Sequence, residues 1–145
     1  MDTNTTGNIS EVVIMNKFIE LGATVSIPFG DSPYDLVIEY KGYLYRVQCK
    51  TAYKPSDKDG VVKFRTVAGN TSNKSLKSYK GLIDFIAFYS PDTNFIGLIP
   101  INNVIEPQMR LRYNKPLNKQ ENINNINDFE FNKQFNKLKN KLWNQ

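Results

Sequence analysis

Hydrophobic residues recur at helical spacing near the start of the chain. The residues that share this spacing are Val13, Ile14, Phe18 and Leu21. Because residues three and four positions apart lie on one face of a helix, the pattern predicts a helix over residues 9–21. Gly22 follows as a typical stop signal.

Short apolar runs predict that the middle of the chain forms a sheet. The predicted strands cover residues 23–27, 35–40, 43–51, 61–67, 83–89 and 95–100. Lys41-Gly42 separates the second strand from the third and reads as the two-residue loop of a β-hairpin. A short helix is predicted over residues 73–80, after a polar loop.

A second amphipathic helix is predicted near the end of the chain, with Asp128 as its N-cap. Its apolar stripe, typical of a core or an oligomer interface, consists of Phe131, Phe135, Leu138 and Leu142. The order of helix, mostly antiparallel sheet and helix predicts an α/β protein of the mixed α+β type. A length of 145 residues fits one domain, residues 1–145.

Composition excludes several classes of protein. The chain has no histidine, which excludes histidine-based catalytic triads and zinc sites built on histidine. Its single cysteine, Cys49, excludes an internal disulfide, and no apolar run reaches the roughly 18 residues of a membrane span. Since residues 1–5 show no signal-peptide pattern, we expect a cytoplasmic protein without a membrane partner.

Positive charge is concentrated towards the end of the chain. The formal net charge is +5, and from Pro107 onward 8 Lys and Arg residues stand against 3 Asp and Glu residues. Such a balance favours a polyanionic partner such as nucleic acid, because neutralising phosphates releases counterions. A solvated, lysine-rich surface explains the same charge equally well.

The predicted hairpin brings chemically active side chains together. With Lys41-Gly42 as the turn, Asp35 pairs with Gln48 on the opposite strand, and Lys50 shares their face by the two-residue period of a strand. A carboxylate, an amide oxygen and an ammonium group then converge on one patch. The alternate positions, which point to the core, are Leu36, Ile38, Val47 and Cys49.

These groups suit metal-dependent cleavage of a phosphodiester. Asp35 is a hard ligand for Mg²⁺, Gln48 offers its amide oxygen, and the backbone carbonyl of Cys49 lies close by in sequence. Lys50 is placed to orient a water molecule and to stabilise charge on the phosphate. The alternative is a strand face that is simply polar.

Glu11 is a candidate for a second carboxylate at this patch. It reaches Asp35 if the first helix packs across the hairpin. The spacing alone favours a different role, in which Asn8 is the N-cap of the helix and Glu11 completes a capping box.

Four segments resemble the PD-(D/E)xK nuclease core, in particular that of the bacterial group I intron-encoded homing endonucleases. The segments are Gly7…Glu11, Leu21-Gly22, Ser32-Pro33-Tyr34-Asp35-Leu36 and Val47-Gln48-Cys49-Lys50-Thr51-Ala52. The resemblance covers about residues 7–101 and leaves residues 107–145 as a basic extension for DNA binding or oligomerisation. Archaeal Holliday-junction resolvases resemble the chain more distantly.

The resemblance implies a restriction-endonuclease-like core, with a central mixed β-sheet flanked by helices. It implies catalysis by Glu11, Asp35, Gln48 and Lys50, and a Mg²⁺ ion (or Mn²⁺ as a substitute) held by Asp35, Gln48, Glu11 and the Cys49 carbonyl. The implied substrate is double-stranded DNA, cleaved by a homo-oligomer that is a dimer or a tetramer. Two alternatives stay open: a Holliday-junction resolvase-like nuclease, and a catalytically decayed DNA-binding module, because Gln48 replaces the commoner acid.

Two sets of basic residues are candidates for DNA contacts. Lys74, Lys77 and Lys80 share one face of the predicted 73–80 helix, either as a phosphate-binding stripe or as a solvated surface. Arg110 and Arg112 alternate on a predicted strand, where they would enter a DNA groove or protect the edge of a sheet.

Overall fold

The fold is that of a computed structural model, which describes residues 1–69, 75–114 and 123–141. The helices in these ranges are α1 (Thr3–Glu20) and α2 (Phe131–Lys141). The strands are β1 (Thr24–Ser26), β2 (Leu36–Tyr40), β3 (Tyr43–Thr51), β4 (Val61–Arg65), β5 (Val67–Ala68), β6 (Lys77–Ser78), β7 (Phe85–Ser90), β8 (Phe95–Pro100), β9 (Gln108–Arg112) and β10 (Asn124–Asn125). Short 3-10 turns at Ile101–Asn103 and Ile126–Phe129 complete the described elements.

The largest sheet has five strands in the order β1-β2-β3-β7-β8. Its central pair, β3 and β7, is parallel, and its other neighbours are antiparallel, so the sheet is mixed as predicted. A second sheet has the order β10-β9-β4, and β5 pairs with β6 separately.

The two helices cover one face of the five-stranded sheet. The Phe18 ring of α1 meets the rings of Phe131 and Phe135 of α2 edge-on, with ring centroids 4.7 and 6.2 Å apart. The buried sheet residues beneath them include Leu36, Ile38, Val47, Cys49, Ala87 and Leu98. The predicted core face of the hairpin and the predicted apolar stripe of the last helix are therefore confirmed for the described residues.

The second sheet covers the opposite face of the five-stranded sheet. Phe88 of β7 stacks between Phe64 of β4, at 5.1 Å, and Phe95 of β8, at 6.0 Å. Met109 and Leu111 of β9 are buried in the same cluster. Among the described residues, helices therefore flank one face of this sheet and a second sheet covers the other, and the hydrophobic core includes residues after position 101.

The β2–β3 hairpin forms with the predicted turn and register. Lys41 and Gly42 have φ values of 52° and 84°, the left-handed conformation that a two-residue loop of type I′ requires at both positions. The pairs run from Tyr40 opposite Tyr43 to Leu36 opposite Val47.

The prediction for the start of α1 is wrong. The helix begins at Thr3, and the Asp2 carboxylate caps it by accepting the Thr5 backbone N–H at 2.8 Å. Asn8 and Glu11 therefore lie inside the helix, where their backbone groups need no cap. The capping box expected for Glu11 does not form, and its side chain is available for another role.

Two further local predictions are wrong. The expected helix over residues 73–80 is absent from its described part, because Lys77 and Ser78 pair with Ala68 and Val67 as strand β6. The last helix is capped by Glu130 and not by Asp128, the expected cap. The two carboxylate oxygens of Glu130 accept the backbone N–H groups of Asn132 and Lys133 at 3.0 and 2.8 Å.

Neither described helix is both long and apolar enough to cross a bilayer.

Gly97 provides a test of the packing between the two sheets. It lies opposite Phe88, and the Phe88 ring fills the space that a Cβ atom would need. We expect Gly97→Ala to lower the free energy of unfolding by about 1–3 kcal/mol in urea titrations, the usual effect of overpacking. Gly7→Ala is the matched control, because Gly7 has open space in a helix, and we expect it to be stabilising by up to ~1 kcal/mol. Equal stability of the two variants would contradict this packing.

Candidate active site

A cavity of about 380 Å³ opens between α1, the end of β3 and the end of β4. The residues that line it are Thr3, Gly7, Ser10, Glu11, Asp35, Cys49, Lys50, Thr51, Tyr53 and Arg65. The cavity therefore brings together Glu11, Asp35, Cys49 and Lys50 from the predicted site. Gln48 is not among the described residues that line it.

Asp35 lies just before β2, which begins at Leu36. The edge of β3 beyond Val47 is therefore not paired with β2. The backbone N–H of Asp35 donates to the Val47 carbonyl at 2.9 Å, and the Asp35 carboxylate accepts the backbone N–H of Cys49, also at 2.9 Å. The predicted direct pairing of Asp35 with Gln48 is thus wrong, because the charge-assisted bond to Cys49 replaces that rung of the ladder.

Cys49 contributes its backbone to the site and its side chain to the core. The N–H and C=O of one strand residue leave the strand on the same side, so the Cys49 carbonyl faces the edge that Asp35 occupies. Burial, followed by the nearby Asp35 and Glu11 charges, raises the pKa of the Cys49 thiol well above its usual range. The thiol therefore stays protonated, and the backbone oxygen is the group that Cys49 can offer to a metal.

Glu11 reaches the cavity because the preceding residue, Ser10, holds α1 against β3. The hydroxyl groups of Ser10 and Thr51 form a hydrogen bond of 2.6 Å, and Ser10 is buried. Burial first, and then repulsion from Asp35, raises the pKa of Glu11. Two carboxylates that repel each other in a partly buried cavity form an environment that a cation would stabilise.

The pKa of Asp35 reflects opposing effects. Burial raises it, while the hydrogen bond from Cys49 and the positive charge of Lys50 lower it, with a net increase. Burial lowers the pKa of Lys50, against the attraction of Asp35. Lys50 Nζ also lies 3.3 Å from the Tyr79 hydroxyl and 5.3 Å from the centre of that ring, which restrains the ammonium group.

Gln48 lies on the same face of β3 as Lys50, as the strand period predicts. It is paired with Ile86 of β7 and is partly exposed. Its role as a metal ligand stays a prediction.

The donor set suits a hard divalent cation that keeps part of its hydration shell. Among the residues that the structure describes, no group of three or more His, Cys, Asp or Glu side chains could hold a metal. The cavity instead offers the carboxylates of Glu11 and Asp35 and the backbone of Cys49. Mg²⁺ binds through one or two carboxylates and retains several waters, so these residues fit it.

The described part of the predicted lysine stripe is not on a helix. Lys74 lies outside the described residues. Lys77 and Lys80 are exposed, and Lys80 Nζ lies 4.0 Å from a carboxylate oxygen of Glu106. Contact of these lysines with DNA stays a prediction.

Arg110 and Arg112 differ in exposure. β9 lies between β4 and β10, and Arg112 itself is paired on both sides, so it does not protect an open edge. Arg112 is only 8% exposed, whereas Arg110 is partly exposed. Of the two, Arg110 has the more accessible side chain, and its contact with DNA stays a prediction.

Sequence reasoning missed several residues around the cavity. No role was predicted for Ser10, Thr51, Tyr79 or Arg65, although Ser10 and Thr51 lie within segments that carry the family resemblance. Ser10 and Thr51 are chain neighbours of Glu11 and Lys50, which is the signal that could have found them. Arg65 comes from the second sheet, and nothing in its local sequence indicates that β4 ends at this cavity.

A family model described as PD-(D/E)XK endonuclease matches residues 1–132. The chain belongs to the PD-(D/E)XK endonuclease family. The match confirms the resemblance carried by the segments around Glu11, Asp35 and Lys50, and it extends beyond residue 101. No curated protein matches the chain.

The solved structures that are similar to this PD-(D/E)XK endonuclease include the following two. The bacterial homing endonuclease I-Ssp6803I matches with a TM-score of 0.80 and 18% identity, over 100% of this chain and 99% of its own. The Holliday junction resolvase Hjc of Archaeoglobus fulgidus matches with a TM-score of 0.48 and 11% identity, over 74% of this chain and 84% of its own. The first match confirms the mixed α+β fold.

The raised pKa of Glu11 leads to a test of pH-dependent stability. A carboxyl group whose pKa is higher in the folded state destabilises that state once it ionises, so the effect is present at pH 7 and absent below its unfolded pKa of about 4.3. Without metal, we expect Glu11→Gln to raise the unfolding temperature at pH 7 by roughly 1–3 °C. The gain should disappear as the pH falls towards 4.

Glu20→Gln, at the exposed end of the same helix, is the matched control. Glu20 accepts a hydrogen bond from Asn16 and lies 3.9 Å from Lys17, so its replacement should bring no gain in stability at either pH. A similar gain from both variants at pH 7 would mean that the cavity does not strain Glu11.

Proposed function

We propose that this PD-(D/E)XK endonuclease hydrolyses phosphodiester bonds in double-stranded DNA, with Mg²⁺ as its cofactor and Mn²⁺ as a substitute. The observation that carries the proposal is the single cavity shared by Glu11, Asp35, Lys50 and the Cys49 backbone. Carboxylates suit a hard cation, and an ammonium group beside them suits a phosphate that gains negative charge.

In this proposal Asp35 and Glu11 hold the cation, and the Cys49 carbonyl adds an oxygen ligand from the strand edge. A bound divalent ion supplies a more acidic water and neutralises charge on the phosphate. The Cys49 N–H fixes the Asp35 carboxylate at 2.9 Å, so the ligand needs little rearrangement to bind. Gln48 is proposed as a further oxygen ligand from the same strand.

Lys50 is proposed to stabilise the phosphate as it passes through its pentacovalent state. Its ammonium group is restrained by Tyr79 and lies near the Asp35 charge. Because the pKa of Lys50 is lowered by burial and raised by Asp35, the carboxylate helps the ammonium group to stay protonated. The attacking water is then oriented between the carboxylates and the ammonium group.

We propose further that cleavage is site-specific, in the manner of a homing endonuclease, and that the active species is a homo-oligomer. The support for the first is the shared fold over nearly the whole of both chains with a bacterial homing endonuclease. The support for the second is a set of exposed apolar residues on α1, namely Ile9, Val12 and Ile19. A cytoplasmic location stays a prediction from the sequence.

Lys50→Met tests the chemistry apart from binding. The variant keeps the aliphatic stem but removes the charge, so we expect duplex cleavage to slow by about 10²-fold or more while DNA affinity changes little. Cleavage of supercoiled plasmid carrying the DNA that flanks the gene measures the rate. Lys17→Met, which removes a charge from the far end of α1, is the control. Wild-type rates in Lys50→Met would refute this role.

Asp35→Asn and Gln48→Glu test the metal site. Asparagine keeps an oxygen for the Cys49 N–H but loses the anionic ligand, so the variant should lose Mg²⁺-dependent cleavage and the rise in unfolding temperature that Mg²⁺ gives the wild type. Gln48→Glu should keep both in part. A decayed DNA-binding module would show DNA binding without cleavage in the wild type itself. Normal cleavage by Asp35→Asn would place the metal site elsewhere.

A further inference from the structure

Arg65 lies at the cavity without a role in the predicted chemistry. It is the last residue of β4, so it reaches the site from the second sheet, whereas Asp35 and Lys50 come from the hairpin. Its side chain is exposed, whereas Lys50 is only partly exposed. Arg65 therefore stands at the rim of a cavity in which Lys50 lies deeper.

The position of Arg65 is fixed by a neutral contact. Its Nη2 donates to the Gly69 carbonyl at 3.1 Å, which uses one of the five N–H groups of a guanidinium. The ion pairs within the described part of the chain do not include Arg65. The contacts among the described residues therefore leave most of its N–H donors and its charge unused.

Arg65 and Lys50 place two positive charges at one cavity. The charge of Arg65 lowers the pKa of Lys50, so the two cations oppose each other. A divalent ion bound by Glu11 and Asp35 would neutralise the two carboxylates and leave both cations without an internal counterion. Anionic groups of the substrate would then balance the positive charges of Arg65 and Lys50.

We propose that Arg65 binds a backbone phosphate of the DNA strand that is cut, adjacent to the phosphate that is hydrolysed over Glu11, Asp35 and Lys50. The proposal rests on the proposed function and adds a phosphate subsite to it. The planar fork of arginine matches two phosphate oxygens, and a ground-state contact at the rim positions the strand over the deeper groups. Arg65 contributes to binding through this contact, and Lys50 contributes to the chemical step.

The experiment measures binding apart from cleavage. A short fluorescent DNA duplex is titrated with the full chain at several salt concentrations, with Ca²⁺ in place of Mg²⁺. We expect Arg65→Gln to weaken binding roughly tenfold, the usual value of a hydrogen bond to a charged group, and to reduce the slope of log K against log salt by about 0.9. Arg65→Lys keeps the charge and should keep the slope, with intermediate affinity.

Lys17→Gln is the control for loss of one positive charge away from the cavity and should leave slope and affinity unchanged. Urea unfolding of every variant shows that the binding changes occur in folded protein. Wild-type slope and affinity in Arg65→Gln would overturn the subsite, as would an equal loss in Lys17→Gln. A wild-type chain that neither binds the duplex with Ca²⁺ nor cleaves plasmid with Mg²⁺ would overturn the proposed function itself. If the wild-type chain binds and cleaves DNA, and Arg65→Gln binds with the same affinity and salt slope, only the subsite is overturned.

Discussion

The hydrogen bond from the Cys49 backbone to the Asp35 carboxylate joins β2 and β3 at the point where their ordinary ladder has ended. If β2 continued for two more residues, its backbone would occupy the same edge of β3. The early end of β2 therefore exposes the Cys49 backbone and lets a carboxylate take the place of a strand carbonyl. The Cys49 side chain is buried between the sheet and the helices, so the core holds this part of β3 in place.

Around this bond the chain combines groups that do not stabilise the folded state by themselves. Glu11 and Asp35 both have raised pKa values, and burial lowers the pKa of Lys50, so each group is strained in its charged form. The surrounding apolar layers supply the stability that this arrangement requires. Sites that bind a charged ligand typically hold ionisable groups in positions that lower the stability of the free protein.

The sequence predicts the local parts of this structure well. The Lys41-Gly42 turn, the register that follows from it and the alternation of Leu36 and Val47 towards the core depend on neighbouring residues only, and the structure confirms them. The start of α1 was misplaced because Asp2 is a better-placed cap than Asn8. Arg65 could not be found, because β4 belongs to a second sheet whose neighbouring strand β9 is far away in sequence, as the pairing of Val61 with Arg112 shows. Asp35 also departs from the strand ladder, because its carboxylate, rather than a backbone carbonyl, accepts the N–H of Cys49.

The distances along the chain between the groups of the site have a consequence for the order in which it assembles. Asp35 and Cys49 are 14 positions apart and meet within one hairpin, which is a local and fast event. Ser10 and Thr51 are 41 positions apart, and the Arg46–Asp84 contact beside the parallel β3–β7 pair spans 38. Closing such long loops costs more conformational entropy and is slower. We therefore expect the Asp35 half of the site to form before Glu11 docks beside it, so that the site is complete only in the finished fold.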